Sequence, residues 1–127
     1  LYLSHCFDRL SRHLGFSNSA RFFDGVRNLG LLYLWLALNI RKEQLGPNHV
    51  DVAMSYNNLG DVHCKTGDLE KAKGYHEWTL EIRKEQLGFN HVDVAKSYNN
   101  LGNVYRKRGD LEKGKECYQW ALEIQKE

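Results

Sequence analysis

Residues Arg41–Ile82, RKEQLGPNHVDVAMSYNNLGDVHCKTGDLEKAKGYHEWTLEI, run without a gap into Arg83–Ile124, RKEQLGFNHVDVAKSYNNLGNVYRKRGDLEKGKECYQWALEI. The two stretches are identical at 30 of 42 aligned positions, and a further copy opens with Gln125, Lys126 and Glu127. A period of about 42 residues lies in the range of solenoid repeats, whose units bury their apolar faces against one another.

Each copy reads as two helices. The first follows Asn48 or His49, where a side chain can cap free amides, with Asp51 placed at the positive helix end. Val52, Tyr56, Leu59 and His63 recur at helical spacing, as do Val94, Tyr98, Leu101 and Tyr105. Gly67 and Gly109 stop that helix, and Asp68 and Asp110 cap the next. The second helix is expected from Leu69 to Leu87, near 28 Å at about 1.5 Å per residue, ending at Gly88. Two helices joined by a Gly-Asp turn make an antiparallel hairpin, and a hairpin with two apolar faces must stack on a neighbour. The expected fold is all-α, a right-handed α-solenoid of stacked antiparallel helix hairpins. Its helix pairs fall at about 49–87 and 91–127, as a fragment of a longer array.

The pattern Tyr56, Leu59, Gly60, His63, Ala72, His76, Thr79, repeated as Tyr98, Leu101, Gly102, Tyr105, Gly114, Tyr118, Ala121, resembles the tetratricopeptide repeat. The period, about eight residues longer than usual for that repeat, is similar to the kinesin light chain variety. So are the runs SYNNLG and GDLEKA, and in that variety the second helix is lengthened, here by RKEQLG. The resemblance covers Arg41–Glu127. It implies that Gly60 lets the helix backbones approach where Ala72 faces it. His63, His76 and Thr79 depart from the expected aromatic, aromatic and alanine. Gly74 and Gly114 weaken their helices by about 1 kcal/mol each, and two complete hairpins make a marginally stable array.

Residues 1–40 carry only pieces of a copy, a degenerate or truncated repeat. Asn28, Leu29, Gly30 and Tyr33 match Asn100, Leu101, Gly102 and Tyr105, while Ala37, Leu38 and Ile40 match Ala121, Leu122 and Ile124. The turn between the pieces is missing, which predicts one continuous helix from about Ala20 to Leu45. A shorter helix through Leu3, Phe7, Leu10 and Leu14 precedes it. A diverged terminal cap and a damaged repeat remain equal explanations. Phe16, Phe22, Phe23 and Trp35 are candidates for an exposed apolar patch.

Composition bounds the function. With 127 residues, 27% of them charged, and a net charge of +2, nothing argues for nucleic acid or membrane partners. The longest apolar run, Leu29–Leu38, is about half of what a bilayer requires. Cys6, Cys64 and Cys117 are too dispersed for a disulfide framework, which points to a reducing, cytoplasmic setting. No phosphate loop, nucleophile elbow or HExxH pair is present, so no enzyme activity and no cofactor is expected. His63 and Cys64 point about 100° apart on a helix, and no CxxC spacing supports a metal. His49 and His91 read as capping or packing residues, and Cys117 as an inert packing residue.

Binding is the stronger reading. In the family the groove residues lie on the first helix of each pair. This maps to Met54, Asn57, Asp61, Cys64 and Lys65, and to Lys96, Asn99, Asn103, Arg106 and Lys107. Helical spacing independently puts Met54, Asn57, Asp61 and Cys64 on one face, opposite Tyr56, Leu59 and His63. Asn57 and Asn99 form a ladder of amides suited to an extended peptide backbone. In the alternative, one asparagine of each pair, Asn57/Asn58 and Asn99/Asn100, ties neighbouring repeats together, a role better suited to Asn58 and Asn100. The first copy holds 5 basic and 7 acidic residues and the second 8 and 6, so an acidic peptide is the expected ligand. The function expected is a non-catalytic protein-interaction scaffold, with a cargo-adaptor role suggested by the resemblance. Two alternatives stay open, a regulatory array of a larger signalling NTPase and a solenoid that self-associates through its repeat ends.

Overall fold

A computed structural model describes residues 29–126. Among these, the chain forms five helices and no strand: α1 (Leu29–Leu45), α2 (Val50–Thr66), α3 (Leu69–Leu87), α4 (Val92–Arg108) and α5 (Leu111–Gln125). The architecture is an all-α solenoid, with α2 paired to α3 and α4 to α5. The shorter helix proposed around Leu3–Leu14, and the part of the long helix before Leu29, lie outside the described residues. From Leu29 onward α1 is uninterrupted, and it takes in the described part of the first repeat fragment and all of the second.

The helix ends follow from single residues. His49 and His91 are the N-caps of α2 and α4, and each ring Nδ1 accepts the N–H two residues ahead, from Asp51 and Asp93, at 3.0 Å. An imidazole therefore does the work open to Asn48. At the other ends, Gly67 and Gly109 take φ of 89° and 87°, a left-handed turn that suits glycine. This turn lets the Asp68 N–H donate to the His63 carbonyl and the Asp110 N–H to that of Tyr105, each at 2.9 Å. Asp68 and Asp110 then cap α3 and α5 by accepting from the Lys71 and Lys113 N–H groups at 3.4 Å.

Contacts within the first hairpin run in opposite directions along its helices, the signature of an antiparallel pair. Thr79 donates to the Ala53 carbonyl at 3.2 Å, Trp78 lies 4.8 Å from the Tyr56 ring, and Tyr75 stacks on His63 at 5.5 Å. Between them the His76 ring fills the space that the missing side chain of Gly60 leaves, and a Cβ there would come within 2.8 Å of it. The opening expected at Gly60 thus also admits a ring from position 76. Tyr118 fills the same space at Gly102, and there Gly114 also packs close, its would-be Cβ 3.2 Å from the Gly102 carbonyl. Gly114 thus has a packing reason, whereas a Cβ on Gly74 would meet open space.

Two cores join the layers. Leu31, Trp35 and Leu38 of α1 pack with Val52, Ala53, Tyr56 and Leu59 of α2 and with Tyr75 and Ile82 of α3. Trp35 is 7% exposed, so it belongs to the interior and not to an exposed apolar patch. The reason is its register on α1, four residues from Leu31 and three from Leu38, which puts it on the face turned to α2. The three phenylalanines named with it lie outside the described residues. Across the second junction Leu80 meets Val94 and Leu101, flanked by Tyr98, Tyr105, Cys117 and Ile124.

A polar clamp accompanies each core. Arg83 is buried at the end of α3 and donates to Ser97 Oγ at 2.8 Å and to the Asp93 carbonyl at 3.3 Å on α4. One repeat earlier Arg41 donates to Ser55 Oγ at 2.6 Å. The RKEQLG segment therefore does more than lengthen a helix. Its leading arginine reaches forward 14 residues to fasten the following hairpin.

Two outcomes are expected in urea unfolding. Arg83→Ala lowers stability by about 2 kcal/mol, since it removes charge-assisted bonds from a buried junction. Gly74→Ala raises stability by about 0.5–1 kcal/mol, the helix-propensity difference at a site with room for a methyl group.

Candidate functional site

At about 100° per residue, Met54, Asn57, Asp61, Cys64 and Lys65 occupy one stripe of α2. Lys96, Asn99, Asn103, Arg106 and Lys107 occupy the same stripe of α4. Met54, Lys65, Lys96, Arg106 and Lys107 are exposed, while Asn57, Asp61, Cys64, Asn99 and Asn103 are half-buried. The opposite side of α2, Tyr56, Leu59 and His63, is buried.

Among the described residues one side-chain hydrogen bond joins α2 to α4, from the flank of the second stripe to the first. Asn100 Nδ2 donates to Asn57 Oδ1 at 2.9 Å across the junction between α2 and α4. The tie between repeats thus takes the first asparagine of one pair and the second of the next. Asn100 has the structural role foreseen for it, and Asn57 shares that role through its oxygen. The equivalent oxygen of Asn99 makes no such bond among the described residues. Beside this junction Arg108 of α4 pairs with Glu70 of α3 at 2.8 Å.

Two further stripe residues are braced from behind by the second helix of their own hairpin, and the brace differs between copies. In the second copy Tyr118 donates its hydroxyl to Asn103 Oδ1 at 2.5 Å. In the first copy the same places hold His76 and Asp61, with His76 Nε2 3.4 Å from Asp61 Oδ1. His76 is 1% exposed and its Nδ1 has no hydrogen-bond partner among the described residues. Burial holds its pKa below the ordinary 6.5, further lowered by the Arg83 charge and partly offset by Asp61. The pair exchange from Asp–His to Asn–Tyr moves the α4 stripe away from negative charge. Lys96 and Arg106 add the rest by replacing Met54 and Cys64. Lys96 lies 3.6 Å from Asp93 in an exposed pair that costs little to open.

Among the described residues no group of three His, Cys, Asp or Glu side chains is gathered as a metal would require. Cys64 and Cys117 are free thiols, and burial, followed by the Glu116 charge, pushes the Cys117 thiol up, in keeping with a packing role. No helix among the described residues is long and apolar enough to cross a membrane. Sequence reasoning missed the Arg41–Ser55 and Arg83–Ser97 clamps. The available signal was an arginine and a serine retained at identical places in both copies.

Residues 33–85 match one tetratricopeptide repeat family and residues 95–127 match another of the same description. Together these spans take in most of both hairpins. The crystal structure of BtubC (BKLC) from P. vanneervenii is similar, with 30% sequence identity and a TM-score of 0.71. The similarity covers 84% of this chain and 43% of that one, so the chain spans less than half the length of that relative. No curated protein matches the chain.

The His76–Asp61 brace sets a pH dependence. His76 is held below its unfolded pKa, so its neutral form stabilises the fold fully above about pH 6.5, and that contribution is lost as pH falls below it. The double substitution His76→Tyr with Asp61→Asn, which installs the second copy's pair, should flatten the decline between pH 7.5 and pH 5 in chemical unfolding. An unchanged slope would assign the decline to other groups.

Proposed function

The chain belongs to the tetratricopeptide repeat family, of the kinesin light chain type, and from that premise we propose that it holds an extended acidic peptide along the α2 and α4 stripes. Proteins built of such repeats are protein-interaction scaffolds and typically non-catalytic. The finer reading concerns what this one holds, and how.

The observation that supports it is the Asn57–Asn100 bond, which sets the two stripes side by side. A peptide laid across them meets the Asn57 NH2 and the Asn99 amide, groups that hydrogen-bond a backbone whatever its sequence. It then meets Lys96, Arg106 and Lys107, whose charges favour carboxylates and raise the association rate more than the affinity. Met54, exposed at the start of α2, offers an adaptable apolar contact. A kinesin light chain-like adaptor role, in which the peptide belongs to a carried protein, is the wider form of the same proposal.

Titration of labelled extended peptides by fluorescence anisotropy tests it. Glutamate-rich peptides should bind more tightly than lysine-rich ones of equal length, with affinity falling as salt rises. Asn99→Ala should weaken binding about five-fold, the worth of one hydrogen bond. Lys96→Glu with Arg106→Glu should abolish the preference for acidic peptides. Equal binding of acidic and basic peptides at this stripe would overturn the electrostatic reading.

A further inference from the structure

The second helices carry a feature that the α2 and α4 stripes leave unexplained. Trp78 on α3 and Trp120 on α5 stand at identical repeat positions, and both are open to solvent, at 56% and 60% exposure. Each rests against a tyrosine of the preceding helix, Trp78 on Tyr56 at 4.8 Å and Trp120 on Tyr98 at 6.4 Å. Much of each indole remains uncovered. Two exposed indoles on the successive second helices are costly to keep in water, and such side chains are enriched where a partner binds.

A groove of about 520 Å³ runs between them. Its floor is Tyr98, Leu101 and Tyr105 of α4, and α3 and α5 form its walls. The rim is acidic, with Glu77 and Glu81 on α3 and Glu116 on α5. Glu116 makes no ion pair among the described residues. Glu77 and Glu81 pair with Lys73 at 3.7 Å and Lys84 at 3.1 Å on their own helix, and such surface pairs are weak enough to exchange partners. Lys113, the one cation lining the groove among the described residues, already sits 5.7 Å above the Tyr105 ring. The groove thus shows in its own lining how an ammonium group is accommodated, over an aromatic face and near carboxylates.

We propose that this outer groove is a second protein-docking site, and that its occupant is a basic segment of another protein. Arginine or lysine side chains of that segment stack on Trp78 and Trp120 and pair with Glu81 and Glu116. Charge complementarity selects this occupant. An acidic peptide or a nucleic acid would set like charges against the rim. The site is independent of the α2 and α4 stripes. On α4 the floor residues and the stripe residues are separated by roughly 150° around the helix at about 100° per residue, so both sites can be filled at once. One scaffold would then hold an acidic partner on one side and a basic partner on the other.

The test uses the full chain and a fluorescein-labelled oligo-arginine peptide, with oligo-glutamate as control. Oligo-arginine should bind and shift the indole emission. Trp78→Ala with Trp120→Ala, and separately Glu81→Gln with Glu116→Gln, should each weaken binding by at least about five-fold. The same variants should leave binding of glutamate-rich peptides at the α2 and α4 stripes unchanged, and circular dichroism should show the helices intact. Binding that falls with the glutamate changes but ignores the tryptophans would overturn the proposal, because it would be diffuse charge attraction. A molar mass that doubles with concentration and reverts in the tryptophan variant would also overturn it, by making the occupant a second copy of the chain.

Discussion

Arg83 lies almost wholly out of water between two hairpins, its guanidinium held by Ser97 and by the Asp93 carbonyl. A buried cation is tolerable only where such groups meet it. The stack of hairpins therefore has one low-energy register, in which the end of α3 lies against the first turns of α4. Arg41 and Ser55 repeat the arrangement one unit earlier. Every surface described above is a consequence of that register. It brings Asn57 to Asn100, Arg108 to Glu70, and the two tryptophans to opposite walls of one groove.

The two faces that result differ in character. The stripe on α2 and α4 is open, polar and increasingly basic towards the C-terminal copy. The groove over α3 and α5 is recessed, aromatic and acid-rimmed. One chain with a net charge of +2 is in this way divided into regions of opposite sign. The two proposed sites would draw partners of opposite charge.

Part of the divergence between the copies falls on residues that touch one another. Asp61 and His76 change together into Asn103 and Tyr118, each pair bridging the same two helices. A neutral, hydrogen-bonded pair replaces one that titrates, with the ring of the second member still seated on the hairpin glycine. Thr79, which donates to the Ala53 and Tyr75 carbonyls, becomes Ala121. The first exchange keeps a ring on the hairpin glycine and removes an acidic side chain, while the second removes a buried hydroxyl and its bonds.

Much of this was legible in the linear chain. Thirty shared positions over one period required a stack of like units, and glycine, aspartate and apolar spacing marked the helices and their ends. The exposed stripe followed from helical periodicity, because residues three and four apart share a face whatever surrounds them. What periodicity cannot supply is the identity of a contact between units. It could not say that Asn57 spends its oxygen on Asn100, that the His76 ring seats on Gly60, or that Trp35 is interior while Trp78 and Trp120 are not. Sequence alone determined the element order and the faces of each helix, since those depend on local geometry. Tertiary structure decided which polar groups are spent on the junction and which are left for a partner, since that depends on distances between residues as far as 43 apart in the chain.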